Sequence, residues 1–104
     1  MAQEKFQVEN YALSVLPRNN FHYYIKMDGE GHNCQCYFRP DSESLPLTRK
    51  VRDKQYIAYY HESQYANLVD LLRNEKPLYF SFHVIGSRDY SGLSTNEEPV
   101  GEAE

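Results

Sequence analysis

The strongest constraint on this fold is a turn signal between two runs of alternating apolar residues. The glycine-rich turn lies at residues 28–31, between flanks at 21–27 and 32–38. Side chains alternate between the two faces of a strand, so pairing Met27 with His32 puts seven apolar or aromatic side chains and His32 on one face. That predicted core face comprises Phe21, Tyr23, Ile25, Met27, His32, Cys34, Cys36 and Phe38. The pattern therefore predicts a β-hairpin with Ile25 opposite Cys34.

Further alternating segments extend this hairpin into a mostly antiparallel sheet. A preceding strand at about 8–16 enters the hairpin through a turn that begins at Pro17, which pairs Leu13 with Tyr23. The first few residues are expected to fray, and residues 45–51 stay unassigned. The remaining predicted strands are 54–61, covered on both faces, 78–85, with one fully apolar face, and a weaker edge strand at 90–95 that places Leu93 opposite Phe82.

One helix is predicted at residues 63–75. Ser63 is a suitable N-cap, and Pro77 ends the helix because proline cannot donate a backbone hydrogen bond. An apolar stripe at helical spacing comprises Tyr65, Leu68, Val69 and Leu72. We expect this stripe to pack against Phe80 and Phe82.

The order of these elements indicates an α+β domain. It has three strands in a meander, a further strand, the helix and two more strands, which gives five to six antiparallel strands in all. An OB-like small barrel has this order, and so does a curled antiparallel sheet packed on one helix. A chain of 104 residues accommodates one such domain, assigned to 1–96, followed by an acidic flexible tail at 97–104.

The charge distribution says little about partners. The net charge is −4, but four of the fifteen acids lie in the tail, and the remainder of the chain has eleven acids and eleven bases. No apolar run approaches the roughly 20 residues of a membrane span, and the N-terminus carries no secretory pattern. We expect a cytoplasmic protein with no membrane partner.

No motif in the sequence indicates catalysis or a cofactor. His32, Cys34 and Cys36 could suggest a metal site, but tetrahedral zinc needs a fourth ligand and strand neighbours converge poorly on one ion. Cysteines on a core face are expected to be reduced and inert, so pairing with His61 or His83 as a nucleophilic site is not favoured. Nucleophile elbows and phosphate loops do not occur. We expect a non-enzymatic protein with no metal and no other cofactor.

Two binding functions remain, with a small enzyme or ligand-binding domain of unknown chemistry as a third. The first is a protein partner or self-association through tyrosine-rich sheet faces, because tyrosine is enriched at interfaces. Its candidate residues are His22, Tyr24, Gln35, Tyr37 and Tyr79. The second is single-stranded nucleic acid, bound by the basic cluster at 49–54 with Tyr24, Tyr37 or Tyr56 as stacking platforms. Its candidate cations are Arg39, Arg49, Lys50, Arg52 and Lys54. A solvated strand edge would carry the same charges. Protein binding ranks first chiefly because it requires no motif that the sequence lacks. The neutral body of the chain and its acidic tail also disfavour nucleic acid.

Overall fold

Ten β-strands and one helix account for most of residues 4–15 and 23–95, the parts of the chain that this computed structural model describes. The strands are β1 (Glu4–Gln7), β2 (Asn10–Val15), β3 (Tyr23–Gly29), β4 (His32–Arg39), β5 (Arg49–Arg52), β6 (Gln55–His61), β7 (Leu78–Phe82), β8 (Val84–Ile85), β9 (Arg88–Asp89) and β10 (Gly92–Thr95). The helix α1 (Tyr65–Asn74) follows a 3₁₀ turn at Glu62–Gln64. The predicted α+β class is confirmed. The strands outnumber the predicted five to six because short strands were missed and the 78–85 strand is broken at His83.

The described strands form three sheets. The largest has the order β2-β3-β4-β6-β5, the second is β1-β7-β10, and β8 and β9 form a two-stranded ribbon. All pairings are antiparallel except that of β4 with β6, which is parallel. The outer strands of the five-stranded sheet, β2 and β5, do not pair with each other, so this sheet is open rather than closed into a barrel.

The predicted hairpin is present, but its register differs by two residues. Met27 lies opposite Cys34, and Gly29 lies opposite His32. The turn is shorter than predicted because Glu30 (φ 54°) and Gly31 (φ 80°) both adopt the positive φ of a two-residue type I′ turn. A shift of two residues preserves the faces, and the described core positions are confirmed. The buried members of this face are Ile25, Met27, Cys34, Cys36 and Phe38.

The pairing of β2 with β3 is displaced in the same way. Leu13 lies opposite Ile25 rather than Tyr23. The predicted turn that begins at Pro17 falls at residues 16–22, outside the described part of the chain. The acidic tail at 97–104 also lies outside it.

The N-terminal strand β1 was missed in the sequence analysis, which began the first strand at about residue 8. Residues 1–3, the first of those expected to fray, lie outside the described part of the chain. β1 pairs with β7 and places Phe6 opposite Phe80. Both rings are fully buried, and their centroids lie 5.8 Å apart. A single aromatic residue at the start of the chain thus secures β1 through tertiary packing. On the other side of β7, Leu93 pairs with Phe80 and not with Phe82 as predicted.

The helix buries the predicted stripe, but its N-terminus is not capped by the predicted residue. Leu68 and Leu72 are buried, and Tyr65 and Val69 are half-buried. Ser63 does not cap the helix. Instead the Gln64 side chain accepts a hydrogen bond from the His61 N–H at 3.0 Å.

The helix contacts the five-stranded sheet through Tyr65. The Tyr65 ring stacks on Tyr23 at a centroid distance of 4.2 Å and meets Phe38 edge-on at 5.2 Å. Phe80 belongs to the same buried cluster as Leu68 and Leu72, while Phe82 packs on Tyr56. The helix and the sheet of β1, β7 and β10 therefore bury one face of the five-stranded sheet. The opposite face of that sheet points away from this core.

Candidate interaction face

Three tyrosines form a row on the outward face of the five-stranded sheet. Tyr24 on β3 lies opposite Tyr37 on β4, and Tyr37 lies opposite Tyr59 on β6. The centroid distances are 5.2 Å for Tyr24–Tyr37 and 6.1 Å for Tyr37–Tyr59. All three side chains are half-buried. Because adjacent strands lie about 4.8 Å apart, the row is continuous across three strands.

A second row runs beside the tyrosines, two residues along the strands, and combines two cations and an amide with one isoleucine. Its members in register are Lys26, Gln35, Ile57 and Arg49. Arg49 lines a shallow open slot of about 280 Å³ together with Tyr37, Ile57 and Tyr59. The outward face thus combines aromatic surface with a cation inside one depression. We call the row of three tyrosines, these four neighbours and Arg39 the tyrosine face.

Local contacts fix the orientation of several of these side chains. The Tyr37 hydroxyl donates to Gln35 Oε1 at 3.3 Å. The Arg39 guanidinium carbon lies 5.9 Å from the Tyr59 ring centroid, within cation–π range, and Arg39 also pairs with Glu43 at 3.9 Å. Burial raises the pKa of Tyr24, and nearby Tyr37 raises it further. The Tyr24 hydroxyl therefore stays protonated at neutral pH.

The structure brings together most of the predicted protein-binding residues. Tyr24, Gln35 and Tyr37 share the tyrosine face. Tyr79 does not, because it lies on β7 in the other sheet, where Lys5 Nζ sits 4.6 Å from its ring centroid. His22 lies outside the described residues.

The cations of the predicted basic cluster at 49–54 do not lie together on one surface. Arg49 and Arg52 are in register with the outward residues Ile57 and Gln55. Lys50 is in register with the core residue Tyr56, and its ammonium pairs with Glu4 at 3.0 Å. Alternation thus places Arg49 and Lys50 on opposite faces, and a register shift between Lys50 and Arg52 brings Arg52 opposite the outward residue Gln55.

Two further members of the predicted nucleic-acid set have structural roles. Lys54 occupies the turn before β6 at φ 64°, where its carbonyl accepts a hydrogen bond from the Asn33 N–H at 2.9 Å. Tyr56 is not a surface platform, since only 1% of it is exposed. Arg39 and Arg49 are the two predicted cations that lie beside the tyrosine row.

Sequence reasoning missed Tyr59 as a member of the site. Residues 54–61 were correctly predicted as a strand with Tyr59 and Tyr56 on opposite faces. Neither face could be assigned outward, because both are apolar or aromatic. The parallel pairing of β6 with β4, which places Tyr59 next to Tyr37, has no local signal.

A polar cluster joins the two sheets on the core side. The Tyr56 hydroxyl donates to Glu4 Oε1 at 2.5 Å, and Lys50 pairs with the same carboxylate. The hydrogen bond from Tyr56, followed by that from Lys50, lowers the pKa of Glu4. Since Glu4 lies on β1 and its partners on β5 and β6, this cluster locks the edge of one sheet to the other.

The cysteines lie in the core, as predicted. Cys34 and Cys36 are fully buried, and their Sγ atoms are 4.0 Å apart. Burial raises the pKa of the Cys34 thiol, which opposes formation of a reactive thiolate. The His32 ring stacks on Phe6 at 5.2 Å rather than turning to a ligand set. Over residues 4–15 and 23–95, no group of three or more potential metal ligands converges.

Comparison with known proteins gives no further guide to the function of this site. No family model, curated protein or solved structure matches the chain. Within the described ranges, no helix is both long and apolar enough to cross a membrane.

Proposed function

We propose that this chain is a non-enzymatic interaction module that holds its partner on the tyrosine face. The observation that carries the proposal is the continuous row of Tyr24, Tyr37 and Tyr59 beside a slot that contains Arg49. Tyrosine gives rigid contact area with a polar tip, and tyrosine and arginine are the residue types that dominate binding hot spots.

The placement of these rings supports a binding role over a purely structural one. The core of the domain lies on the other face of the sheet, where the buried residues of β3 and β4 meet the helix. Tyr37 and Tyr59 line an open slot rather than that core. Preorganised rings cost little entropy on binding, so a flat partner can be held without rearrangement of the domain.

Two partner classes fit this face. A protein or a second copy of the chain would bury the rings as a central anchor surrounded by polar side chains. Single-stranded nucleic acid is the second candidate, favoured specifically by Arg49 in the same slot as two aromatic rings.

The proposal is tested by isolating the tagged full chain with its cellular partners and identifying bound protein and nucleic acid. Sedimentation of the purified chain reports self-association. The double variant Tyr37→Ser, Tyr59→Ser should lose partner binding by at least about tenfold, as expected for hot-spot residues. Tyr90→Ser is the control, because Tyr90 is 57% exposed and lies in the link between β9 and β10, outside the five-stranded sheet. Equal retention of the same partner by the double variant and the control would contradict the proposal.

A further inference from the structure

We propose that the tyrosine face binds single-stranded nucleic acid, with bases stacked on Tyr37 and Tyr59 and a phosphate held by Arg49. This inference rests on the proposed function and names its partner class. It draws on three features of the described residues: the lining of the slot, the distribution of charge between the sheet faces, and the continuous row of tyrosine rings.

The slot is suited to a base and its phosphate together. Tyr37 and Tyr59 contribute rings 6.1 Å apart and inclined at 30°, and Ile57 forms an apolar floor beside them. Any nucleobase can stack on an aromatic ring because every base has a π-face. Arg49 lines the same depression, so a nucleotide on these rings brings its phosphate within reach of the guanidinium. Tyr24 extends the row for a neighbouring base.

Cationic side chains are unevenly distributed between the two faces of the five-stranded sheet, which the net charge of the chain does not show. Four cations are in outward register on β3, β4 and β5: Lys26, Arg39, Arg49 and Arg52. Acidic side chains also lie on this side of the described sheet. Asp28 is in outward register and accepts a hydrogen bond from Asn10, and Glu43 faces Arg39. Glu4 is held with Lys50 on the other side of β5. The tyrosine face is therefore more basic than the neutral body suggested, and it complements a polyanion.

The row of partly exposed rings favours single strands over duplexes and over a protein. Bases inside a duplex are stacked on one another and cannot also lie on protein rings, whereas unpaired bases can be splayed onto them. Tyrosine and arginine are enriched at protein interfaces as well, but lysine is depleted there, and here Lys26 shares the face with Arg49. Stacking platforms interleaved with cations are typical of surfaces that hold single strands.

The experiment is fluorescence anisotropy with the full chain and labelled homopolymers of about ten nucleotides, a length within the range of single-strand sites. Oligouridylate and oligothymidylate separate RNA from DNA, and a duplex of equal length is the shape control. Both single strands should bind more tightly than the duplex. Affinity should fall between about 50 and about 200 mM salt, because each phosphate contact releases counterions.

Variants localise the contact. Arg49→Ala should weaken binding and reduce the salt slope by about 0.7, the loss of one phosphate contact to a single strand. Arg73→Ala is the matched control, since it removes the same charge from an exposed position on α1. Tyr59→Ser should weaken binding by roughly 5- to 100-fold, while Tyr59→Phe keeps the ring and should retain most of the affinity.

The outcomes separate this inference from the function on which it rests. Lack of saturable binding to both homopolymers, or an equal loss in Arg49→Ala and Arg73→Ala, overturns the inference. If the homopolymers do not bind but the tyrosine variants abolish self-association or a protein complex, the proposed function stands with a protein partner. If no binding of any partner responds to the tyrosine variants, both proposals fail.

Discussion

Gly29 lies where two backbone segments meet, and a single methyl group there should be costly. A Cβ atom added to Gly29 would lie 2.0 Å from the carbonyl oxygen of Gln7 and 2.9 Å from the nitrogen of Glu9. Both contacts are with backbone atoms, so no side chain can rotate away. Gly29→Ala therefore forces the link between β1 and β2 to separate from the end of β3.

The magnitude follows from what holds that link in place. The Glu9 N–H donates to the Asp28 carbonyl at 2.8 Å, and the Gln7 N–H donates to Glu30 Oε1 at 2.8 Å. A displacement of roughly 1 Å or more weakens these bonds, each worth about 1 kcal/mol net. Overpacking itself costs about 1–3 kcal/mol. We expect Gly29→Ala to lower the free energy of unfolding by about 2–4 kcal/mol.

Urea unfolding followed by far-UV circular dichroism measures this change in a chain that has no tryptophan. Gly92→Ala is the matched control, because a Cβ there meets nothing within 4 Å and Gly92 is also in a strand. The control should change stability by less than about 0.5 kcal/mol. If Gly29→Ala differs from the control by less than about 0.5 kcal/mol, the argument from close backbone approach is refuted.

Three further predictions concern the core, the sheet junction and the thiols. Leu72→Ala should destabilise by about 2–5 kcal/mol in the same urea assay, since it leaves a cavity under the helix, and a loss below about 0.5 kcal/mol would mean that Leu72 is not a core residue. Because the pKa of Glu4 is lowered in the folded state, ionised Glu4 stabilises the fold above pH 4.5, and this stabilisation is lost as the pH falls through the lower folded-state pKa. Glu4→Gln should therefore make the free energy of unfolding depend less on pH on the acid side. That contribution should be at most about 1 kcal/mol, because 35% of the Glu4 side chain is exposed, and an unchanged profile would argue against the Tyr56–Glu4 bond. Cys34 and Cys36 should react with a thiol reagent only at the rate of unfolding, and rapid labelling of the native protein would show that they are accessible.

The sequence by itself determined which side chains of the first hairpin and of the helix face the core. Strand alternation and helical spacing are local properties, so they survive errors in pairing. The register of Met27 against Cys34 differs from the prediction by two residues, yet the buried face of the hairpin is the predicted one. The apolar stripe that includes Leu68 and Leu72 was likewise predicted from the sequence, although the 3₁₀ turn before the helix was not. Tyr24, Gln35 and Tyr37 were found as neighbours because all three lie within this one hairpin.

Only the tertiary structure decided which strands lie side by side. Pairing is set by the arrangement that buries the most apolar surface while satisfying the backbone, and no single segment encodes it. The parallel contact of β6 with β4 brings Tyr59 to Tyr37, and Arg49 reaches the slot only because β5 then adds to β6. The candidate site thus combines residues of one hairpin, which the sequence predicts as neighbours, with Tyr59 and Arg49, which distant segments bring to it. For the same reason, charges that cancel over residues 1–96 separate in space once each strand has a face and a neighbour.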